Sequence, residues 1–134
     1  GAAFPGQHLV TAAGRNGFAA LSSLPALEEL DASQAQVGDD SLRGWRSPPK
    51  LRKLVLAKNA FTNVSLPGIL SSPDLEELNF QKVPGISDQG LNYLVKKLSL
   101  RMLQLDQTGV TLQNAQKLKQ MMSETRVGIA GTIY

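Results

Sequence analysis

The 134-residue chain has no cysteine. Disulfides, thiolate zinc sites and cysteine nucleophiles are therefore excluded together. Its only histidine is His8. Without a second histidine a zinc site is not expected. A Ser-His-Asp triad would have to use His8, and no serine stands in a G-x-S-x-G elbow. Aromatic residues are scarce, at 5%, so leucine and other aliphatic side chains must fill the core. No apolar run approaches the roughly 18 residues that a membrane span requires, and none is expected. Strong charge is also lacking. The net charge is +3, and the basic residues are scattered among acids with no interleaved aromatics, so no nucleic-acid partner is expected. What remains, 42% hydrophobic and 19% charged, is ordinary for a soluble globular chain. The length suits one domain with a continuous core.

Gly1-Ala2-Ala3-Phe4 lacks the charged and apolar regions of a signal peptide. The chain opens on glycine and not methionine, so a trimmed start is expected. The missing cysteine and signal pattern favour a cytoplasmic location, with an exported or periplasmic one left open if a leader was removed.

Against these absences stands one strong presence, a repeat. Leu27-Glu28-Glu29-Leu30-Asp31-Ala32, Leu51-Arg52-Lys53-Leu54-Val55-Leu56, Leu75-Glu76-Glu77-Leu78-Asn79-Phe80 and Leu100-Arg101-Met102-Leu103-Gln104-Leu105 begin 24, 24 and 25 residues apart. A fixed period of this size marks a stacked-repeat architecture. Within each segment the second and third apolar positions are two apart, as in a strand with one buried face. In the second repeat Asn59 follows Leu56 by three residues, with Phe61 beyond it. The other repeats carry Ala35, Val83 and Thr108 at that position, and only Thr108 also has a hydrogen-bonding side chain.

The second half of each repeat should return the chain. Leu91, Leu94, Val95 and Leu98 have the spacing of one helical face, as do Ala115, Leu118, Met121 and Met122. Ser87 and Thr111 are the expected N-caps, with Asp88 favouring the first turn. Pro48 and Pro49 end any helix that follows Leu42, and Pro67 makes the second return short or starts it. Arg126-Val127-Gly128-Ile129 keeps the register of a fifth strand. Residues 17–25 resemble a return segment, which implies an earlier, degenerate strand near His8-Leu9-Val10.

The pattern L-x-x-L-x-L-x-x-N-x-F of the second repeat resembles the leucine-rich repeat family. Ile86-Ser87-Asp88-Gln89-Gly90-Leu91 and Thr108-Gly109-Val110-Thr111 are similar to the T-x-[IV]-[ST]-D-x-G-L repeats of bacterial leucine-rich repeat proteins and of F-box-type repeats. The resemblance covers about residues 17–129, and it departs from the family in mostly lacking Asn or Cys after the strand. It implies an α/β right-handed solenoid with a short parallel inner sheet of about five or six strands and outer helices or turns. It also implies that the Asn59 side chain bonds backbone groups in the turn leaving the strand. The expected organisation is a single domain: residues 1–26 a degenerate N-terminal repeat or cap, 27–123 four regular repeats, and 124–134 a terminal strand and tail.

Such a fold implies binding on its inner face, and the outward positions there form rows. The first is Glu28, Arg52, Glu76, Arg101, and the second is Glu29, Lys53, Glu77, Met102. Asp31, Val55, Asn79 and Gln104 follow, then Ser33, Ala57, Gln81 and Asp106, then Gln34, Lys58, Lys82 and Gln107. Neighbouring parallel strands lie about 4.8 Å apart, so side chains in one row touch. Alternating acid and base in the first row reads as ion pairs between neighbours, in preference to a charged recognition surface. The candidate partner-binding residues are instead Val55, Asn79, Gln104, Gln81, Lys58, Lys82, Gln107 and Met102, which have no obvious partners. Trp45, between Arg43 and Arg46, reads as a core residue, with an interface anchor as the other reading. Asn63-Val64-Ser65 matches a glycosylation acceptor, and Gly14-Arg15-Asn16-Gly17 reads as a turn. Glu28-Glu29 and Glu76-Glu77 sit beside basic repeats, which keeps them ionised and unsuited to acid catalysis. The expected function is therefore a non-enzymatic protein-binding module. The alternative is a regulatory or targeting domain of a larger enzyme or multidomain protein. No catalytic, cofactor or metal residue is assigned, and a monomer or weak dimer is expected.

Overall fold

In the computed structural model the described residues are 7–10 and 18–134. The Gly14–Gly17 turn and the start of the expected N-terminal cap lie outside them. Seven strands form one sheet whose order across the sheet is their order along the chain. They are β1 (Gln7–Val10), β2 (Leu27–Asp31), β3 (Lys53–Val55), β4 (Glu77–Asn79), β5 (Met102–Gln104), β6 (Arg126–Ile129) and β7 (Thr132–Ile133). The first six are parallel, and β7 returns antiparallel to β6. Each repeat is a strand plus a return, so consecutive strands pair as parallel neighbours. Register follows the repeat: Leu30, Leu54, Leu78, Leu103 and Val127 align across β2 to β6. All five are buried, whereas the residues flanking Leu54, Leu78 and Leu103 are half-buried. One sheet face thus covers the core and the other stays open. The pairing also outlasts the short strands, with Leu56 N–H donating to Asn79 O and Phe80 N–H to Gln104 O.

Four helices lie in the returns: α1 (Asp39–Leu42), α2 (Leu66–Ile69), α3 (Leu91–Leu94) and α4 (Leu112–Met121). Helices of one turn are not stable alone, and here bonds between neighbouring repeats tie the returns down. The Asp39 carboxylate accepts from Thr62 N–H (2.9 Å), the Thr62 hydroxyl (2.7 Å) and the Ser65 hydroxyl (2.6 Å). Asn63 accepts from Ser87 N–H (3.1 Å) and donates to the Ser87 hydroxyl (2.8 Å). Asp88 accepts from Thr111 N–H (2.9 Å). A second series precedes the strands: the hydroxyls of Ser72, Ser99 and Thr125 donate to the carbonyls of Leu51, Leu75 and Leu100. Close approach between repeats also fixes two glycines. A Cβ on Gly68 would collide with the Trp45 carbonyl, and one on Gly85 with that of Phe61.

Three expectations about the returns need correction. Ser87 makes no side-chain N-cap bond, because its hydroxyl is taken by Asn63 from the repeat before; Thr111 does cap, accepting from Asn114 N–H at 3.3 Å. Leu98 leaves the helical face and is 70% exposed, since α3 stops at Leu94 and closes with tighter bonds from Lys96 and Lys97 N–H to Tyr93 and Leu94. Met121 is exposed as well, while Ala115, Leu118 and Met122 carry the buried face of α4.

Trp45 is buried and stacks on Phe18 at 4.3 Å. Its indole N–H donates to the Ser47 hydroxyl, which in turn donates to Ile69 O. This supports the core reading. At the other end, Ala130 and Gly131 both take positive φ, as a two-residue type I′ hairpin requires, and β7 pairs with the side of β6 away from β5. The expected strand at Arg126–Ile129 is present. The tail beyond it is a hairpin arm.

Candidate binding face

The open face of the sheet is built from the residues that alternate with the buried leucines. Across β3, β4 and β5 the register sets Lys53, Glu77 and Met102 side by side, then Val55, Asn79 and Gln104. These six side chains surround a depression of about 180 Å³. Four candidates named from the sequence, Val55, Asn79, Gln104 and Met102, therefore meet at one place. Gln81, Lys58, Lys82 and Gln107 do not line it; they follow the strands at their C-terminal ends.

The polar members of this row are not unpartnered, contrary to the sequence reading. The Asp31 side chain accepts from Ser33 N–H (2.9 Å), Asn79 from Gln81 N–H (2.8 Å) and Gln104 from Asp106 N–H (2.8 Å). Each folds back on the backbone two residues ahead, a habit of short polar side chains in turns. The bond also fixes which way the two amides point. Only the oxygen of an amide can accept from an N–H, so in both side chains it is the oxygen that is committed to the turn; the Gln104 amide lies over Gly128 of β6, where a Cβ would collide with its nitrogen.

The row of Gln34, Lys58, Lys82 and Gln107 is equally systematic. All four have φ between 51° and 60°, in the left-handed region, and all four are exposed. Their geometry turns the chain out of the strand. The N–H groups of Gln34, Lys58 and Lys82 then donate to Ala57, Gln81 and Asp106 carbonyls of the following repeat. Ala57, placed among the outward positions from the sequence, is buried, because the chain is already turning there.

Asn59 occupies the inside of the same turn. It accepts from Ala35 N–H (3.2 Å) and Val37 N–H (3.0 Å) and donates to the carbonyls of Ala32, Leu56 and Ala57. Thr108 reproduces one of these bonds within its own repeat, donating to Leu105 O at 2.8 Å.

At the N-terminal ends of the strands the charges meet one another. Arg52 lies 3.6 Å from Glu28 and 3.7 Å from Glu29, and Lys53 lies 3.7 Å from Glu77. The pairing differs from a simple row: Arg52 serves both glutamates of the preceding repeat, and among the described residues Glu76 is within ion-pair distance of neither Arg52 nor Arg101. Exposed pairs of this kind contribute about 0–1 kcal/mol each.

The groups with shifted pKa values lie outside the strands. At Asp39 burial works against ionisation, but the hydrogen bonds from Ser65 and Thr62 outweigh it and hold the carboxyl below its usual range. Asp88 is lowered in the same way, burial being outweighed by bonds from Thr111 and Asn114. Burial lowers Lys97, with Asp74 opposing. A larger hollow of about 450 Å³ lies beside Arg43, Trp45, Arg46, Val64 and Pro67. Trp45 forms its wall, with ring and N–H already engaged. Asn63, the glycosylation candidate, has its amide committed to Ser87. Among the described residues no cluster of three His, Cys, Asp or Glu side chains is placed to hold a metal. No helix among them is long and apolar enough to cross a membrane. No family model matches the chain, and no curated protein matches it.

Proposed function

We propose that this chain is a leucine-rich-repeat solenoid that binds a protein partner through the open face of its sheet. The observation that carries the reading is the depression between β3, β4 and β5, where Val55 and Met102 offer apolar surface among oriented polar groups. Sequential parallel strands of one period, leucines in register and an asparagine bonding the turn backbone support the solenoid part; crossovers between parallel strands are right-handed almost without exception. Interface cores gain from apolar area ringed by satisfied polar groups. In this reading the module is non-enzymatic and a single domain, with the β6–β7 hairpin covering the end of the sheet.

The test combines Val55→Glu with Gln104→Arg, which places charge in the depression without touching a buried leucine. Partners captured on the immobilised wild-type chain should be lost from the variant, with the circular dichroism spectrum unchanged. A complex that survives the double substitution in a folded chain places the contact elsewhere and sinks the reading.

A further inference from the structure

We infer that the partner segment seated on this face is acidic and inserts one large apolar side chain between β3, β4 and β5. The inference rests on the proposed binding face and adds the chemistry of its occupant.

Two observations point the same way. Lys58 and Lys82 occupy equivalent positions on neighbouring repeats, are exposed, and have no carboxylate within ion-pair distance among the described residues. Like charges facing each other on adjacent strands are unfavourable, so the pair gains from an anion placed over it. The acids of the flanking repeats do not supply one: among the described residues the ion pairs involve neither Asp31 nor Asp106. Second, the Asn79 amide oxygen is taken by the Gln81 N–H, which leaves its NH₂ group to donate. Two cations just past the C-terminal ends of β3 and β4, with one amide donor in the lining of the depression, call for acceptors. On the other side Lys53 is matched by Glu77. The floor, Val55 and Met102, is apolar, and the hollow of about 180 Å³ has room for a single large side chain. A basic partner would meet like charge at Lys58 and Lys82, and a uniformly acidic one would leave the hollow unfilled.

The probe is a random displayed peptide library selected on the whole chain, with enriched peptides synthesised and titrated by fluorescence polarisation. The wild-type chain should enrich acidic peptides bearing one Leu, Met, Phe or Trp. Lys58→Glu with Lys82→Glu should weaken them by about tenfold or more, and raising the salt should do so partially. Val55→Lys, which fills the hollow without adding repulsion for an acidic ligand, should abolish binding. Peptides that need Val55 but are neutral or basic, or that ignore the lysine reversal, overturn the acidic partner and leave the binding face standing. Peptides indifferent to Val55→Lys, or no enrichment at all, overturn both. Circular dichroism confirms that each variant is folded.

Discussion

Replacing Asn59 by alanine tests how the repeats are held together. The Asn59 side chain is buried and makes five hydrogen bonds, two of them received from Ala35 and Val37 N–H of the preceding repeat. Alanine leaves those two donors without a partner inside the turn, at about 1–3 kcal/mol each. The carbonyl side loses less, since Ala57 O keeps the N–H of Gln34 at 2.9 Å. Water entering the vacated space would restore some of the bonding, which brings the expected loss to about 2–4 kcal/mol. At about 4 °C per kcal/mol for a chain of this length, Tm falls by roughly 8–16 °C. Urea denaturation followed by circular dichroism measures the loss directly, and the m-value should stay constant if only the folded state has changed. Thr108→Val is the control. It removes the bond from Thr108 to Leu105 O and the one Thr108 receives from Val110 N–H, both within one repeat, and should lose about 1 kcal/mol. An Asn59→Ala variant within about 1 kcal/mol of wild type, or no worse than Thr108→Val, would refute the reasoning that Asn59 joins two repeats.

Two further outcomes follow from the same structure. The folded-state pKa of Asp39 lies below its ordinary value of 3.8, so its contribution is present above that value and is lost as pH falls through the lower folded one; Asp39→Asn should be less stable than wild type at neutral pH, with the difference shrinking in acid, and a pH-independent difference in urea midpoints would contradict this. Ala130 holds a positive φ of 53° in the terminal hairpin, so Ala130→Gly should raise stability by about 0.5–1 kcal/mol in the same assay, and a loss would show that the alanine methyl packs usefully.

The strands were legible because their signal is local. Apolar residues two apart, such as Leu54 with Leu56 or Leu78 with Phe80, specify which face is buried, and the period carried that register from Leu30 to Val127 and to the strand at Arg126–Ile129. The returns were less so. Spacing alone put Leu98 and Met121 on buried faces, but the single-turn α3 stops before Leu98, and at the end of the longer α4 it is Met122 that turns inward while Met121 stays exposed. The capping rule also failed at Ser87, because its partner, Asn63, is 24 residues away in sequence and adjacent only in the fold. At the site, the location of Val55, Asn79, Gln104 and Met102 could be read from register. The bonds of Asn79 and Gln104 to the backbone two residues ahead could not be distinguished from free side chains by residue type. The left-handed turn carries no glycine or asparagine to announce it; only the alignment of Gln34, Lys58, Lys82 and Gln107 across repeats would have drawn the eye.

That last pair of facts bears on how a repeat acquires a specific surface. In the row Asp31, Val55, Asn79, Gln104 the polar members secure the turn by accepting a backbone N–H, and valine is the one residue that cannot. In the β3 turn Asn59 donates to the carbonyls of Leu56 and Ala57, and its other three bonds hold Ala32, Ala35 and Val37 in the turn of the repeat before. The turn that follows Val55 is thus tied at its carbonyls by a core side chain, while position 55 carries an apolar residue on the open side of the sheet. If the proposed face is the binding face, losing Asn59 should weaken binding there as well as stability, whereas losing Thr108, whose repeat keeps Gln104 as its own turn clamp, should affect stability alone.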